Sequence, residues 1–565
     1  MADNTSEVDE QGDITEERED ENKEEKSSDE QKSVRRTTLI QFYEYCVLCV
    51  AVLSVILTQD WYYGLTFAFV AIFSLHVSAT LQQESLTQVF GWQLRPEADN
   101  GITTGTVLVP LALLSNAILV KGQTEKDWQE LLEYLLPAIG ISVVTAFNVL
   151  QCSSIYNSQP NLYARLYWYG MIFSVGLLPM LGGTYSTTVL GTITGFSVLV
   201  KVLSSLPWSF TIGEAVVLSE GIILLSIDTV MNVAGYSERP QLHSCIQVLI
   251  LGALFIGLAM YPTLYTMYQV NSMKEKNDVD SQFLRKWSIS FYVGTAVFIL
   301  SVLQSWLWYL LGRNPILFAL FFLLDNPIRV CLVLVWLLLV AVSIALVAWH
   351  SSPSRTHIAS TTTIRKHFHI VATVIFTSGL LIDPDLLYLG AAGTFSIFVI
   401  LEYIRVFRIK PFGDVLHGAF SVFKDEKDAG IVILTHIYLL IGFSLPVWLY
   451  PLQYNQGPPI LLYSGCISLG VGDTAAALIG CRYGTHKWPG SNKSKEGTVA
   501  AIISQIIFCF LLSFIGVQIH SWLVLILSVL LTSLMEAFTK QIDNIVLPLF
   551  MYSMLTILSQ VSILH

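Results

Sequence analysis

Charged side chains are scarce in this chain of 565 residues. They make up 13% of the sequence, against 53% hydrophobic residues and a mean hydropathy of +0.60. Soluble domains carry roughly 25% charged residues. The scarcity therefore excludes an ordinary soluble globular protein and indicates an integral membrane protein.

The few charges are also unevenly spread. Residues 1–36 hold 14 acidic and 6 basic side chains, which accounts for −8 of the net charge of −11. Because this segment has almost no apolar residues with which to form a core, we predict a disordered acidic tail. It also lacks an apolar stretch behind a basic start, so we expect no cleavable signal peptide.

Two familiar motifs are missing as well. The eight cysteines are scattered and suggest no disulfide framework. Cys46 and Cys49 form a C-x-x-C, but inside a predicted membrane span, where core packing is favoured over metal or redox chemistry. No G-x-x-x-x-G-K-[ST] sequence occurs, so a P-loop ATPase is not supported.

Long hydrophobic runs fill the chain from residue 37 onward. A membrane-spanning helix needs about 20 apolar residues, and the pattern predicts an all-α, polytopic membrane protein with roughly 15–17 transmembrane helices. A shorter apolar run, 314–325, is interpreted as re-entrant. The predicted spans are 37–58, 61–80, 103–121, 132–150, 164–182, 185–204, 210–232, 243–270, 288–312, 329–349, 368–388, 390–407, 430–450, 458–480, 497–516, 520–538 and 543–563.

Four connections between spans are basic: 271–287, 351–367, 405–428 and 481–496. Two predicted spans separate each from the next, so all four lie on one face of the membrane. Lysine and arginine are enriched in cytosolic connections, and this face is therefore predicted to be cytosolic. The same count places the acidic tail in the cytosol.

Ionisable residues in or beside the spans gather at that face. A charge at a helix centre costs roughly 2.5–3.5 kcal/mol, so such residues usually line a polar site. Asp473 is the first candidate, although a buried structural hydrogen bond would also explain it. Glu536 and Asp543 flank a predicted turn, TKQIDN, where solvated loop carboxylates are an equal alternative. The remaining candidates are Glu402, Arg405, Asp425, Asp428, His436 and Asn544. Glu402 and Arg405 would also be explained by a simple ion pair on one helix, and His436 by an interior histidine.

The connection 481–497 follows Asp473 and combines lysines with glycines. Lysines supply point charges for phosphates, and glycines let backbone amides approach an anion. The next span opens at Gly497 and Thr498, so its helix N-terminus adds positive potential. The composition favours a polyphosphate site over a merely basic loop. A phosphate site calls for Mg²⁺, which takes carboxylate and phosphate oxygens, and Asp473 is the predicted metal ligand.

The stretch GDTAAALIGCRYGTHKWPGSNKSKEGT (472–498) resembles the CTP-dependent polyprenol kinases, above all those that phosphorylate dolichol. Two further blocks, 401–449 and 534–550, resemble the same family, and RKHFH (365–369) is similar to a shorter element of the wider group. The matched positions in the first block, with the intervening Ser494 and Lys495, are the predicted CTP-binding residues. They are Gly480, Gly484, Lys487, Trp488, Pro489, Gly490, Lys493, Ser494, Lys495, Glu496, Gly497 and Thr498.

This resemblance implies that CTP and dolichol give CDP and dolichyl phosphate, the lipid carrier for protein glycosylation, with a divalent metal. It also implies the endoplasmic reticulum membrane, an active site facing the cytosol and no nucleic-acid partner. Asp473, Asp428, Glu536 and Asp543 become the catalytic candidates, and Glu402, Arg405, Asp425, His436 and Asn544 would shape the site.

Composition and this resemblance together divide the chain into three regions. They are the tail 1–36, an N-terminal multi-span region 37–350, and a C-terminal catalytic region 351–565 that holds the loop 481–497. Three alternatives stay open: a kinase for phytol, another polyprenol or diacylglycerol; a cytidylyltransferase; and a transporter of polyprenyl or nucleotide species.

Overall fold

The computed structural model describes residues 41–58, 61–80, 91–95, 100–120, 125–151, 185–237, 239–274, 281–350, 361–421, 428–450 and 459–563. The predicted span 164–182, the acidic tail and Asp425 lie outside these residues. The described part is all α-helical, with two isolated β-bridges and no β-strand. Ten of its helices are long and apolar enough to cross a membrane, and five shorter apolar helices accompany them. The chain is thus an all-α polytopic membrane protein.

The N-terminal region forms a bundle that ends in an outer group of helices. Its elements are α1 (Gln41–Thr58), α2 (Trp61–Thr80), α3 (Ile102–Val120), α4 (Glu125–Gln151), α5 (Tyr185–Ser205), α6 (Ile212–Val233), α7 (Gln241–Ala259), α8 (Tyr261–Lys274), α9 (Ser281–Phe298), a π-helical segment (Ile299–Leu303), α10 (Gln304–Leu311), α11 (Pro315–Leu324) and α12 (Pro327–His350). Helix α4 is mostly buried by its neighbours, whereas α9 and α12 expose apolar side chains, as lipid-facing helices do.

The C-terminal region packs directly against this bundle. Its elements are α13 (Thr361–Ile382), α14 (Pro384–Val406), α15 (Gly413–Ser421), α16 (Thr435–Leu449), a 3₁₀ turn (Ile460–Tyr463), a π-helical segment (Cys466–Asp473), α17 (Thr474–Tyr483), α18 (Lys495–Phe514), α19 (Trp522–Phe538) and α20 (Asp543–Ile563). Helix α20 lies between α3 and α16, and one hydrophobic core continues through both regions.

Most predicted spans match a helix, but several boundaries were wrong. The predicted span 243–270 is two helices, α7 and α8, and α13 begins at Thr361 and not at residue 368. The pair 368–388 and 390–407 is divided in the structure between Ile382 and Pro384. Asp383 caps α14 by accepting a hydrogen bond from the amide of Leu386 at 2.9 Å, and Pro384 stands at the first helical position. Proline is favoured there because its missing N–H would have no partner in any case. This cap, and not hydropathy, sets the boundary.

Candidate active site

Asp473 stands where the π-helical segment Cys466–Asp473 passes into α17. Its carboxylate is buried, and Oδ2 accepts a hydrogen bond from Nζ of Lys366 on α13. Nε2 of His369, one turn further along α13, lies 3.4 Å from the same oxygen. A buried carboxylate without a partner would be strongly destabilising. Lys366 and His369 therefore allow Asp473 to sit inside the bundle.

The small residues before Asp473 bring neighbouring helices close. A Cβ on Gly470 would lie 1.9 Å from Oγ1 of Thr373 on α13, and one on Gly472 would lie 2.6 Å from Nε2 of Gln505 on α18. These glycines therefore serve helix packing. π-Helical turns are rare and frequently occur at functional sites.

The orientation of the His369 ring follows from its hydrogen bonds. Nδ1 lies 2.9 Å from the backbone oxygen of Arg365, which can only accept, so Nδ1 carries a proton. Nε2 has no hydrogen-bond partner among the described residues and is the ring atom that faces Asp473. Lys366 and His369 were not among the predicted site residues. The available signal was RKHFH, in which they are three apart and share one face of a helix.

Lys493 joins the loop to two further carboxylates. Its Nζ lies 3.2 Å from Oε1 of Glu536 at the end of α19 and 3.7 Å from Oδ2 of Asp543 at the start of α20. Burial disfavours its charge, but Asp543, Glu536 and Asp473 outweigh that effect and raise the pKa of Lys493. The structure thus places Glu536 and Asp543 beside Lys493, with Asp473 close enough to act on its charge, and their common catalytic role stays a prediction. We call Lys366, His369, Asp473, Lys493, Glu536 and Asp543 the carboxylate–lysine cluster.

Two glycines of the loop, and Gly480 just before it in α17, have a packing role. A Cβ on Gly484 would lie 2.3 Å from the backbone oxygen of Gly480, and one on Gly497 would lie 2.8 Å from that of Ala476. Gly480 faces Gly497 where α17 and α18 meet. Gly490 has φ +79° and turns the loop. Close packing and turn geometry explain these glycines without a phosphate.

The N-terminus of α18 is already capped. Ser494 Oγ accepts a hydrogen bond from the amide of Gly497 at 3.2 Å, and the amide of Lys495 donates to the oxygen of His486 at 2.8 Å. The Glu496 carboxylate accepts from the amide of His486 and the hydroxyl of Thr485. These contacts hold the loop in shape and engage the amides of His486, Lys495 and Gly497.

Two loop lysines do face outward. Lys487 and Lys495 are exposed, and Nζ of Lys495 lies 5.6 Å from the centroid of the Trp488 ring. Trp488 Nε1 donates to Thr498 Oγ1 at 3.0 Å and its ring packs edge-on against Phe538. Pro489, between Trp488 and Gly490, is exposed. The loop therefore has a fixed inner side, which contains Lys493, and a cationic outer side.

The predicted site-shaping residues mainly secure the connection before α16. Arg405 pairs with Glu402 and donates to the oxygen of Ile431 at 2.7 Å, while the amide of Ile433 donates to Glu402. Asp428 accepts from the amide of Leu434 at 3.0 Å and from Oγ1 of Thr435. These contacts account for Glu402, Arg405 and Asp428 as structural groups.

His436 and Asn544 lie beside this connection. His436 packs between the rings of Phe398 and Phe420, and among the described residues neither ring nitrogen has a hydrogen-bond partner. Asn544 Nδ2 donates to the oxygen of Thr435 at 3.3 Å, which ties α20 to α16 next to Asp543.

A second polar cluster lies at the other end of α14. The carboxylate of Asp228 accepts hydrogen bonds from Tyr134, Arg239 and Gln247, and Nε2 of His243 lies 2.6 Å from it. Nδ1 of His243 lies 2.7 Å from the hydroxyl of Tyr388. We call Tyr134, Asp228, Arg239, His243, Gln247 and Tyr388 the Asp228 cluster. The sequence did not predict the Asp228 cluster.

The donor set around Asp473 fits only part of a metal shell. Within the described ranges, no three His, Cys, Asp or Glu side chains are grouped to hold a metal ion. Mg²⁺ commonly takes one or two carboxylates and completes its shell with water and substrate phosphates. Asp473 and Glu536 fit that requirement, since each places a buried carboxylate in the same cluster.

The fold and this site define a class: a polytopic α-helical membrane protein with buried carboxylates and a cationic loop at one end of its helices. A family model described as dolichol kinase matches residues 187–471, half of the chain. The chain belongs to the dolichol kinase family. The matched range includes Lys366 and His369 and ends two residues before Asp473.

Curated relatives agree with this family. The chain is 35% identical to the dolichol kinase of Mus musculus over 62% of this chain and 66% of that protein. It is 28% identical to that of Arabidopsis thaliana over 82% and 88%, and 30% identical to that of Saccharomyces cerevisiae over 47% and 48%. The match spans just under two thirds of the mammalian relatives' length. No solved structure matches.

Proposed function

We propose that this protein transfers the γ-phosphoryl group of CTP to the terminal hydroxyl of dolichol, giving dolichyl phosphate and CDP. The observation that best supports this proposal is the carboxylate–lysine cluster beside the outward-facing lysines of the loop. Phosphoryl transfer depends mainly on alignment and charge neutralisation, and the cluster supplies cations and carboxylates at one place. The family to which the chain belongs supports the lipid alcohol as acceptor and a nucleotide as donor.

The outer lysines, Lys487 and Lys495, would attract and hold the nucleotide phosphates. Lys493 lies deeper, between them and the buried carboxylates, and would meet the transferred group. Exchange of its carboxylate partners for phosphate oxygens keeps its charge paired throughout. Mg²⁺, when bound with the nucleotide, supplies further neutralisation of phosphate charge. Asp473 would hold it, with Glu536 second.

Transfer of the γ-phosphoryl group to dolichol also releases the proton of the dolichol hydroxyl. The dolichol oxygen forms a bond to the γ-phosphorus, the bond from that phosphorus to the bridging oxygen breaks, and CDP leaves. The hydroxyl proton passes to a carboxylate of the cluster. Asp473 takes the proton if Glu536 holds the Mg²⁺. If Asp473 holds the Mg²⁺, Glu536 or Asp543 takes the proton, because both share its surroundings.

The site would face the cytosol in the endoplasmic reticulum membrane. The basic connections support this orientation, and CTP is a cytosolic nucleotide. Asn492 lies in an N-x-[ST] sequence on the exposed loop. Because this orientation places the loop in the cytosol, the protein should carry no glycan there. A glycan found at Asn492 by mass spectrometry would contradict the orientation.

The decisive experiment uses purified full-length protein in detergent with γ-labelled CTP or ATP and a panel of dolichol, phytol and diacylglycerol. We expect label in dolichyl phosphate, CDP as the other product, and CTP preferred over ATP. Pyrophosphate as product would indicate a cytidylyltransferase. Since detergent removes compartments, an absence of any transfer would favour a transporter.

A further inference from the structure

The carboxylates Glu536 and Asp543 lie on either side of a short connection between α19 and α20. This connection, residues 539–542, is not a helix, so its position is set by what it contacts. Thr539 and Gln541 are both buried. Any shift of this connection would move the two carboxylates that face Lys493.

The contacts come from the N-terminal region. Thr211 Oγ1, at the start of α6, donates a hydrogen bond to Oε1 of Gln541 at 2.8 Å, across 330 residues of sequence. Thr539 Oγ1 donates to Oε1 of Glu44 on α1 at 3.3 Å. The side chain of Gln541 also covers Gly101, where a Cβ would lie 2.2 Å from Oε1. Two helices and one loop of the N-terminal region thus hold the connection.

Thr211 is itself fixed by a capping box. Its hydroxyl accepts from the amide of Glu214 at 3.2 Å, and the Glu214 carboxylate accepts from the amide of Thr211 at 3.2 Å. Because the Thr211 oxygen accepts from Glu214, its proton is directed to Gln541. Arg95 pairs with Glu214 at 2.5 Å, and both side chains are buried. The donor to Gln541 is therefore preorganised.

We propose that Thr211 and Gln541 are positioning residues for phosphoryl transfer, through which the N-terminal region sets the location of Glu536 and Asp543 against Lys493. The inference rests on the proposed function. It gives the region 37–350 a direct part in the reaction, beyond that of a membrane body. A small misplacement of catalytic groups lowers turnover far more than it lowers binding.

The test measures kcat and KM for CTP in purified Thr211→Val, Gln541→Met and the double variant. We expect each single variant to lower kcat about tenfold and to leave KM within twofold. The double variant should show no lower kcat than either single variant, since both remove the same hydrogen bond between Thr211 and Gln541. Thr211→Ser keeps the hydroxyl and should retain wild-type kcat. Should Gln541→Met fail to fold, Thr539→Val is the second variant, with the same expected loss.

The control separates positioning from stability. Asn314 caps α11 at the lipid-facing side, where its Oδ1 accepts from the amide of Ile316 at 2.9 Å. Asn314→Ala removes a helix cap whose contribution to stability is similar to that of the Thr211 cap. It should lower the melting temperature while leaving kcat unchanged. The inference is overturned if the single variants keep kcat within twofold, or if their losses multiply in the double variant. Wild-type protein without transfer would overturn the proposed function as well.

Discussion

The carboxylate–lysine cluster and the Asp228 cluster are built from different helices. The first joins α13, α19 and α20 through Asp473 and Lys493, and the second joins α4, α6, α7 and the start of α14. Both bury carboxylates beside cations and a histidine. In the Asp228 cluster, Asp228 faces four partners and both ring nitrogens of His243 are engaged. In the other cluster, Nε2 of His369 has no hydrogen-bond partner, and neither has Oε1 of Gln505 beside Gly472, within the part of the chain described.

The difference shows how to separate structural from reactive polar groups in a membrane bundle. A network in which each group already has its partners gains nothing from a ligand. A network with charged groups of both signs, in which Nε2 of His369 faces Asp473 at 3.4 Å without a hydrogen bond, has capacity left for a substrate. Burial and charge alone would not have distinguished the carboxylate–lysine cluster from the Asp228 cluster.

The largest effect is expected for Asp473→Asn. Loss of the carboxylate should lower kcat per folded molecule about 1000-fold, within the range for a residue that acts in proton transfer. The protein should still insert but melt at a lower temperature, because Lys366 loses its buried partner. Turnover of γ-labelled CTP in detergent is the measurement, and Asp414→Asn, at an exposed ion pair with Arg408, is the matched control. Near-normal turnover would remove Asp473 from the mechanism.

A large effect of another kind is expected for Asp228→Asn. Asp228→Asn removes the carboxylate that Tyr134, Arg239 and Gln247 share and leaves Arg239 paired with Glu130, at a cost of about 2 kcal/mol. The melting temperature in detergent should fall, while kcat per folded molecule stays within twofold of wild type. If activity were lost without a change in melting temperature, the contrast between the clusters would be wrong.

A smaller effect is expected for Lys487→Ala. This side chain is exposed and has no ion pair among the described residues, so its removal should leave the melting temperature unchanged. KM for CTP should rise about fivefold, as for the loss of one charge–phosphate contact. Raising the salt concentration should reduce the difference from wild type, because salt screens exposed charges. An unchanged KM would exclude Lys487 from nucleotide binding.

The smallest effect concerns pH. The pKa of Lys493 is raised by its carboxylate neighbours, so its contribution to stability is fully present below the usual lysine value of about 10.4. It is lost only as pH rises through the raised pKa. The stability difference between wild type and Lys493→Ala should therefore stay constant from pH 7 to about 10. A difference that shrinks within this range would show that Lys493 is not held by the carboxylates.

Hydropathy predicted much of the fold, since spanning helices must satisfy their backbones internally and therefore form long apolar runs. It also placed Asp473 beside a basic loop and a turn between Glu536 and Asp543, which the structure shows. It began the span of α13 at residue 368, whereas α13 begins at Thr361. Lys366 is charged, and only its pairing with Asp473, 107 residues away, makes its place inside the bundle favourable.

The loop 481–497 shows where composition alone was misleading. Composition associated the loop glycines with a phosphate site, but Gly484 and Gly497 leave no room for a Cβ beside the backbone of α17 and Ser494. Glycine at a tight helix contact and glycine at an anion site look the same in a sequence. Thr211 and Gln541 carried no signal at all, because an uncharged pair 330 residues apart is determined only by the packed fold.

The π-helical segment Cys466–Asp473 makes the number of residues in this segment matter as much as their identity. An α-helix turns by about 100° for each residue, so deleting one apolar residue here, away from every charged group, would rotate the Asp473 carboxylate away from Lys366. Such a deletion would inactivate the protein as effectively as changing Asp473, and variation in this family should spare the spacing even where it alters the side chains.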